Sequence, residues 1–449
     1  MASTPRVRVV VVNYDGGDMT LRCLESLRQI DWPMDSLEVV LVDNASIDGI
    51  APRIRDEMPW VNLIESISNT GFAGGVNQGL GGLQNVDYVA LLNNDAIPDR
   101  GWLKEMVAAF DADPALGAAC SKIVFAPAFI ALVIDSPVFL PPNDTREHGV
   151  CITGLEVDGV DVLRDSQFAD GCYTPKARRV DDDVVCWTAG HAEVRLPVSP
   201  GEEVPEFVQV ELLGETEKAV RLSCGAEPVE VRVGRAPTWH KVPVGGRPFD
   251  VINNVGSRLV EGGYGGDRGF LERDAGQFEE PEEVFAWCGA SVLLSTRYLQ
   301  KVGKFDNRYF VYYEDTDLSW RGRIAGWRYR YVPTSVVRHI HAATSKEGSR
   351  LFGHFVERNR LTTLARNAPW SVLFNACYVY LRDSLVILKR DVVGRMRAGR
   401  GPHITGFANR VRAFGGFLKL LPRTLLSRAR QLCRPRRRRE IWKRWATPF

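Results

Sequence analysis

Val7-Arg8-Val9-Val10-Val11-Val12-Asn13-Tyr14-Asp15-Gly16-Gly17 is the stretch from which the fold can be read. A β-branched run that does not alternate with polar residues is a strand buried on both faces, the habit of a parallel sheet. Its polar, glycine-bearing end opens a turn. Leu21, Leu24, Leu27 and Ile30 follow at helical spacing, and Leu37–Val42 is a second buried run ending at Asp43-Asn44. Val61–Ile64 is a weaker third strand. The glycine-rich Asn69–Asn77 turns into a short helix, Val86–Leu92 is a fourth strand that breaks at Asn93-Asn94-Asp95, and Trp102–Phe110 is helical again. Strands alternating with helices at these intervals predict a doubly wound α/β domain. Ligands of such sheets sit beyond the carboxyl ends of the strands, where Asp15, Asp43 and Asp95 fall.

From about Pro127 the pattern changes. Phe207–Leu212, Ala219–Ser223 and Val229–Val233 are short, partly alternating runs between turns, which predicts an inserted β-sandwich-like module over 135–250. The α/β style resumes at Val284–Leu294. A short helix at Arg297–Val302, a strand-like Tyr309–Tyr313, a helix at Asp317–Ala325 ended by Gly326 and a strand at Trp327–Val332 follow. The chain therefore divides into 1–134, the inserted module at 135–250, a second α/β part at 251–350, and a basic helical region at 351–449.

The 449 residues are 45% apolar and 25% charged, which excludes wholesale disorder. Net charge is only +2, but residues 350–449 hold 23 Lys+Arg against 4 Asp+Glu, and residues 1–349 hold 34 against 51. An acidic body with a basic tail predicts a docking surface for something anionic. Nucleic acid is excluded as the partner: the tail lacks zinc spacing and a recognition-helix pattern, and the body would repel phosphates. An anionic membrane fits better, with Phe414, Phe417, Leu418, Leu420, Leu421, Leu425 and Leu426 interleaved with Lys419, Arg423 and Arg428. The competing reading is a helical buttress with a solvated basic face. The apolar run from Trp370 to Leu381 meets Arg382-Asp383 before spanning length, so the tail is expected to lie on a bilayer rather than cross it. No secretory signal is expected from Ala2-Ser3-Thr4-Pro5 and the short Val7–Val12 run, and nine scattered cysteines without CxxC favour a reducing cytoplasm.

Three places could do chemistry. Asp95, at a strand end behind two Asn, could hold a hard divalent cation against a diphosphate; it could equally cap the helix that follows. Tyr312-Tyr313-Glu314-Asp315-Thr316-Asp317 gathers three acids in four positions. Helix capping accounts for Asp317, whereas adjacent like charges at Glu314 and Asp315 raise a carboxylate's pKa toward that of a useful general base. His339 and His341 alternate, which on a strand puts both imidazoles on one face, suited to a metal ligand and a substrate contact. The glycine loop at 69–82 lacks the Lys of a P-loop, and Val9–Gly17 lacks G-x-G-x-x-G. What remains is an α/β domain for a sugar nucleotide, with the base near Asp43 and the glycines lending backbone to the ligand.

These pieces resemble glycosyltransferase family 2, and within it the bacterial rhamnosyltransferase-like branch. The matching segments are VVVNYDGG (10–17), VDNASIDG (42–49), NTGFAGGVNQG (69–79), LLNNDAIPDRGWL (91–103), the run from Trp287 to Ser345, and VERNRLTTLARNAP (356–369). The resemblance implies a GT-A-like fold with a doubly wound mixed sheet, and an inverting, metal-dependent enzyme working at the inner face of the cell membrane. It implies Asp315 as catalytic base beside Glu314. Asn13, Asp15, Asp43, Asn44, Gly74, Asn77, Asn94 and Asp95 would meet the nucleotide sugar, and Asp95 with His339 would hold Mg²⁺ or Mn²⁺. The implied donor is dTDP-rhamnose, with galactofuranose or glucose from a UDP donor as alternatives. The implied acceptor is a polyprenyl-diphosphate-linked saccharide or growing surface glycan of a cell-wall or capsular polymer, and a homo-oligomer is possible. A non-catalytic glycan-binding protein using the β module is the competing class, but it leaves the acid cluster idle. The chain departs from the family pattern at Asn93, where a DxD motif has its first acid, and in carrying the 135–250 insertion.

Overall fold

The computed structural model describes residues 4–142, 144–173, 176–177, 184–340, 349–397, 399, 401–431 and 435–448. Phe125–Val251 form one compact unit and the rest of the chain forms another.

The larger unit is built on a mixed sheet. Across it the order is Glu282–Glu283, Arg328–His339, Leu116–Phe125, Ser291–Ser295, Tyr88–Asn93, Val7–Asn13, Leu37–Asp43 and Asn62–Glu65. The four strands of the first half run parallel, as their unbroken apolar runs require. Their register aligns the polar ends: Asn13 lies opposite Asp43, and Val12 opposite Asn93. Ser291–Ser295 enters antiparallel beside Tyr88–Asn93 and makes the sheet mixed. The glycine-rich helix Gly71–Leu80 packs against the first strand so closely that a Cβ on Gly75 would lie 2.6 Å from Val12.

The expected strand at Tyr309–Tyr313 is not one. Asn307–Tyr309 form a single 3-10 turn, and Phe310, Tyr312 and Tyr313 take φ of 68°, 66° and 69°. The left-handed region is costly for aromatic residues and persists only where surroundings over-determine it. Asn359 supplies that determination, its Nδ2 donating to the carbonyls of Tyr309 (3.0 Å), Val311 (2.8 Å) and Tyr312 (2.7 Å). The helix Glu314–Ala325 starts directly from this turn and ends at Gly326, left-handed at φ 98°.

The smaller unit is all β. Ala128–Asp135, His191–Val198, Lys218–Ser223 and Val229–Val233 lie in one sheet; Cys151–Val157, Phe207–Leu213 and Thr238–Pro243 lie in another. Strict alternation along Phe207–Leu213 buries Val208, Val210 and Leu212 against Ile130, Leu132, Val194 and Leu222. The unit starts before the expected residue 135, because the apolar Ala128–Asp135 run pairs with His191–Val198.

The basic region is helical: Arg350–Asn367, Trp370–Leu388, Thr405–Arg430 and Pro435–Trp445. Much of it is core. Phe417 is buried with Leu361, Leu364, Leu373 and Trp320, and Phe414 and Leu421 pack against the same cluster, which removes three residues from the expected membrane-facing row. The inner face of that helix is set by the buried Ala413, Phe417 and Thr424, with Phe414 and Leu421 beside it, whereas Val411, Leu418 and Leu425 are exposed. Trp442 stacks on Trp320 with centroids 6.2 Å apart.

Candidate active site

The carboxyl ends of the parallel strands form a polar shelf organised by Asn13. Its Oδ1 accepts from Gly16 N (3.1 Å), Thr20 Oγ1 (2.7 Å) and Asn94 Nδ2 (3.0 Å). Its Nδ2 donates to Asp43 Oδ1 (3.0 Å) and Ser46 Oγ (2.9 Å). One buried amide thus fixes three strand ends and aims Asp43. Asp15, at φ 52°, joins the same shelf, its Oδ1 accepting from Ile47 N at 2.8 Å.

Two residues expected at the nucleotide have other work here. Asn44 donates to Asn69 Oδ1 (3.0 Å) and Gly71 O (3.1 Å) and accepts from Thr70 N (2.9 Å) and Thr70 Oγ1 (3.0 Å), so its amide serves to hold the loop. Asn77 clasps Phe305 through both amide atoms, at 2.8 Å to its carbonyl and 3.1 Å from its N–H, and also bonds Asn307. Gly74 leaves room for Thr70, which a Cβ there would meet at 2.5 Å. The amides of Asn44 and Asn77 are thus engaged by the fold, an engagement that spacing does not distinguish from ligand contact.

Asp95 and His339 meet. The short strand Ala96–Pro98 pairs antiparallel with Val337–His339, which sets His339 Nε2 3.1 Å from Asp95 Oδ1. His339 Nδ1 lies 3.1 Å from Asn253 Oδ1, an acceptor, so Nδ1 carries the proton. In the neutral ring Nε2 is then an acceptor too. It accepts from Asn93 Nδ2 at 3.1 Å and faces a carboxylate oxygen. A ring nitrogen and a carboxylate oxygen at that separation are a pair that one divalent ion can share. An outer oxygen fixing the tautomer is the usual support of a metal-bound histidine. Among the described residues no three His, Cys, Asp or Glu converge on one point. Two protein ligands nevertheless fit Mg²⁺ or Mn²⁺, which take their remaining ligands from water and substrate phosphates. His341 lies outside the described residues.

The acid cluster separates into three environments. Asp315 is half-buried, with Oδ2 accepting from Gly289 N (3.2 Å) and Oδ1 from Thr316 N (2.5 Å) and Thr316 Oγ1 (3.2 Å). Burial raises its pKa, partly offset by the N–H groups of Thr316 and Gly289 and reinforced by Asp267. Glu314 is buried, and burial, then the charge of Asp315, push its pKa well above the carboxylate range; Oε2 has no hydrogen-bond partner among the described residues. Asp317 is the opposite case. It caps nothing: it receives Arg366 Nη1 (2.7 Å), Arg321 Nε (2.8 Å) and Asn367 Nδ2 (2.9 Å), and despite burial the two guanidiniums hold its pKa below the usual range.

The two halves of the site are joined through Gly289-Ala290. Gly289 N–H holds Asp315, and Ala290 O accepts from Asn93 N at 3.0 Å, one residue from Asn94 and two from Asp95. Asn253 and Asn254 were not singled out from the sequence. Both are buried, Asn253 on His339 and Asn254 on Asp267 (2.5 Å). Two adjacent amides in the apolar Phe249–Val255 run were the available signal.

Residues 8–129 match the family described as Glycosyl transferase family 2. An N-acetylglucosaminyl-diphospho-decaprenol L-rhamnosyltransferase of Mycobacterium tuberculosis is 40% identical over 81 residues, 17% of this chain and 26% of that protein, in each of two strains. The match thus spans about a quarter of the length of those relatives. Among solved structures, GalNAc-T7 with UDP, GalNAc and Mn²⁺ has a TM-score of 0.47 at 12% identity, covering 98% of this chain and 56% of that one. A Pyrobaculum calidifontis mannosyltransferase in complex with GDP-Man and Mn²⁺ has a TM-score of 0.42 at 15% identity, covering 96% and 86%.

Proposed function

We infer, from the glycosyltransferase family 2 domain that residues 8–129 carry on a GT-A-like mixed sheet, that this glycosyltransferase inverts configuration as it moves a sugar from a nucleoside diphosphate to an acceptor hydroxyl. The observation that carries the reading is Asp315: one ionisable carboxylate, raised in pKa, held by two backbone N–H groups. In the proposed step the acceptor oxygen attacks the anomeric carbon, Asp315 takes its proton, and the bond to the diphosphate breaks. A nucleoside diphosphate leaves without protonation, so one base suffices where a glycosidase needs two carboxylates. Asp95 and His339 would hold Mg²⁺ or Mn²⁺, which when bound neutralises charge on the leaving diphosphate. Asp43, aimed by Asn13, would receive the nucleotide base, with Asp15 and Asn94 on the same shelf.

The favoured donor is dTDP-rhamnose and the favoured acceptor a polyprenyl-diphosphate-linked saccharide, supported by the rhamnosyltransferase relatives over the 81 matched residues. The enzyme would work at the cytoplasmic face of the cell membrane, building a surface glycan. A screen of nucleotide sugars for binding and donor hydrolysis, with Mg²⁺ or Mn²⁺ present, tests the reading. Turnover of dTDP-rhamnose above UDP-glucose and UDP-galactofuranose is expected. Unchanged transfer by Asp315→Asn would overturn it.

A further inference from the structure

The helix Trp370–Leu388 is apolar on two faces, and the protein covers one of them. Leu373, Ala376 and Tyr380 enter the core beside Trp320 and Phe417. The outer face carries Trp370, Phe374, Tyr378, Leu381 and Leu385, exposed at 44%, 66%, 65%, 46% and 62%. Their spacing sets them in one stripe roughly 22 Å long. An apolar helix face left open to water calls for an apolar partner. A contiguous exposed apolar patch of about several hundred Å² marks an interaction surface.

Charge identifies what covers it. Arg382, paired with Asp383, flanks the stripe, and Lys389 and Arg390, the latter paired with Asp391, follow it, all three cations exposed. At the other end the Arg428 guanidinium lies 4.1 Å over the Trp370 ring. Next to Arg428, Ser427 and Arg430 form part of the wall of a groove of about 1150 Å³. Lys301, Lys304 and Arg430 line this groove, beside Arg308, Arg321 and Arg436, which are held by Asp306, Asp317 and Glu440. An apolar stripe with cations at both ends matches the boundary of an anionic leaflet, acyl chains meeting the stripe and phosphates meeting the cations.

We propose that the outer face of Trp370–Leu388 lies in the plane of an anionic phospholipid membrane, with lipid phosphates in the adjoining basic groove. The proposal deepens the glycosyltransferase reading, on which it rests for the lipid-linked acceptor that such docking would serve. By length and composition alone this helix, continued to Arg397, could cross a bilayer. Its inner face argues for lying flat. Arg410 donates to Ser384 Oγ (2.7 Å) and Tyr380 O (3.0 Å) and stacks 3.9 Å from the Tyr380 ring, while Tyr380 Oη donates to Arg410 O at 3.0 Å. A spanning helix would break these bonds or carry the guanidinium into hydrocarbon.

Flotation of the full chain with vesicles tests this, using phosphatidylcholine alone and phosphatidylcholine mixed with phosphatidylglycerol. The wild type should bind the mixed vesicles at least about tenfold more tightly than the neutral ones, since each cation near the leaflet contributes about fivefold. The variant Phe374→Ser/Tyr378→Ser/Leu385→Ser should lose binding to both vesicle types while keeping its circular dichroism. Arg430→Glu/Arg436→Glu should lose only the preference for phosphatidylglycerol, as high salt should. Carbonate should release the bound wild type. Equal flotation of wild type and triple variant would overturn the proposal, as would resistance to carbonate, which means a spanning helix. So would a wild-type dimer that the triple variant dissociates, with no flotation by either, because the face then belongs to a second copy. Donor hydrolysis in vesicle-free buffer reads the enzymatic assignment separately, so either can fail alone.

Discussion

Arg366 Nη1 lies 2.7 Å from Asp317 Oδ2, and both side chains are buried. Through this pair the basic C-terminal region grips the helix that presents Asp315. The second arm of Arg366 reaches Asp306 at 2.6 Å, which fastens the turn before that helix as well. The last of the three clustered acids is therefore a structural anchor rather than a helix cap, and its neighbours in sequence are freed for chemistry.

Asp317→Asn should consequently destabilise the fold by about 1.5–3 kcal/mol, the loss of charge-assisted hydrogen bonds from Arg366 and Arg321, while Asp306 still compensates part of the Arg366 charge. Asp317 has a lowered pKa and Asp306 one lowered to about 2, so their contribution is complete above about pH 4 and is lost as pH falls toward about 2. Urea midpoints should separate wild type from Asp317→Asn most at pH 7 and less at pH 3. A gap of the same size at both values would mean that charge is not the cause.

Asp315→Asn preserves the bonds from Gly289 or Thr316 but cannot accept a proton. Transfer should fall by about 10²–10⁴-fold with donor binding unchanged. Because the Asp315 pKa is raised, the acid limb of the wild-type rate profile should lie above the usual carboxylate value of about 4. A limb at or below that value would assign proton removal elsewhere.

Replacing Asn253 by Leu removes the oxygen that fixes the His339 tautomer. Mn²⁺ affinity in the presence of nucleoside diphosphate should drop about 10–100-fold, and His339→Ala should cost more. Titration of Mn²⁺ by its paramagnetic signal measures both. Full turnover by wild type in excess chelator would remove the ion from the mechanism.

Asn359→Leu deletes three hydrogen bonds to a turn with three left-handed aromatic residues. The turn should relax, and transfer should fall at least about tenfold through kcat even where the melting temperature shifts by only a few degrees. A loss confined to donor affinity would contradict this placement of Asn359 behind the base.

Ile252 pairs antiparallel with Val124, so the ends of the β unit are already adjacent. Excising Phe125–Val251 and closing with a short Gly-containing turn should leave a folded protein that binds donor, with acceptor use or self-association impaired. Loss of nucleotide binding in a folded deletion protein would show that the unit completes the donor site.

The α/β architecture was legible in sequence because a parallel strand must be buried on both faces, and runs such as Val7–Val12 have no polar alternative. The same logic put Asp43, Asn94 and Asp95 at strand ends, and the alternation in Phe207–Leu213 exposed the β unit. What sequence could not decide was which polar side chain faces a ligand and which is consumed by the fold. Asn44 and Asn77 have the composition of ligand contacts, but their amides are satisfied by loop backbone and by Phe305. Asp317 differs from Asp315 only in the residues that distant segments bring to it, Arg366 and Asn367 in one case and Gly289 in the other. The meeting of Asp95 with His339 depends on the pairing of Ala96–Pro98 with Val337–His339, some 240 residues away along the chain. Local propensity and hydrophobic period act over a few residues and so are written in the sequence. The charge, burial and hydrogen bonding of a carboxylate are set by partners that only tertiary packing supplies.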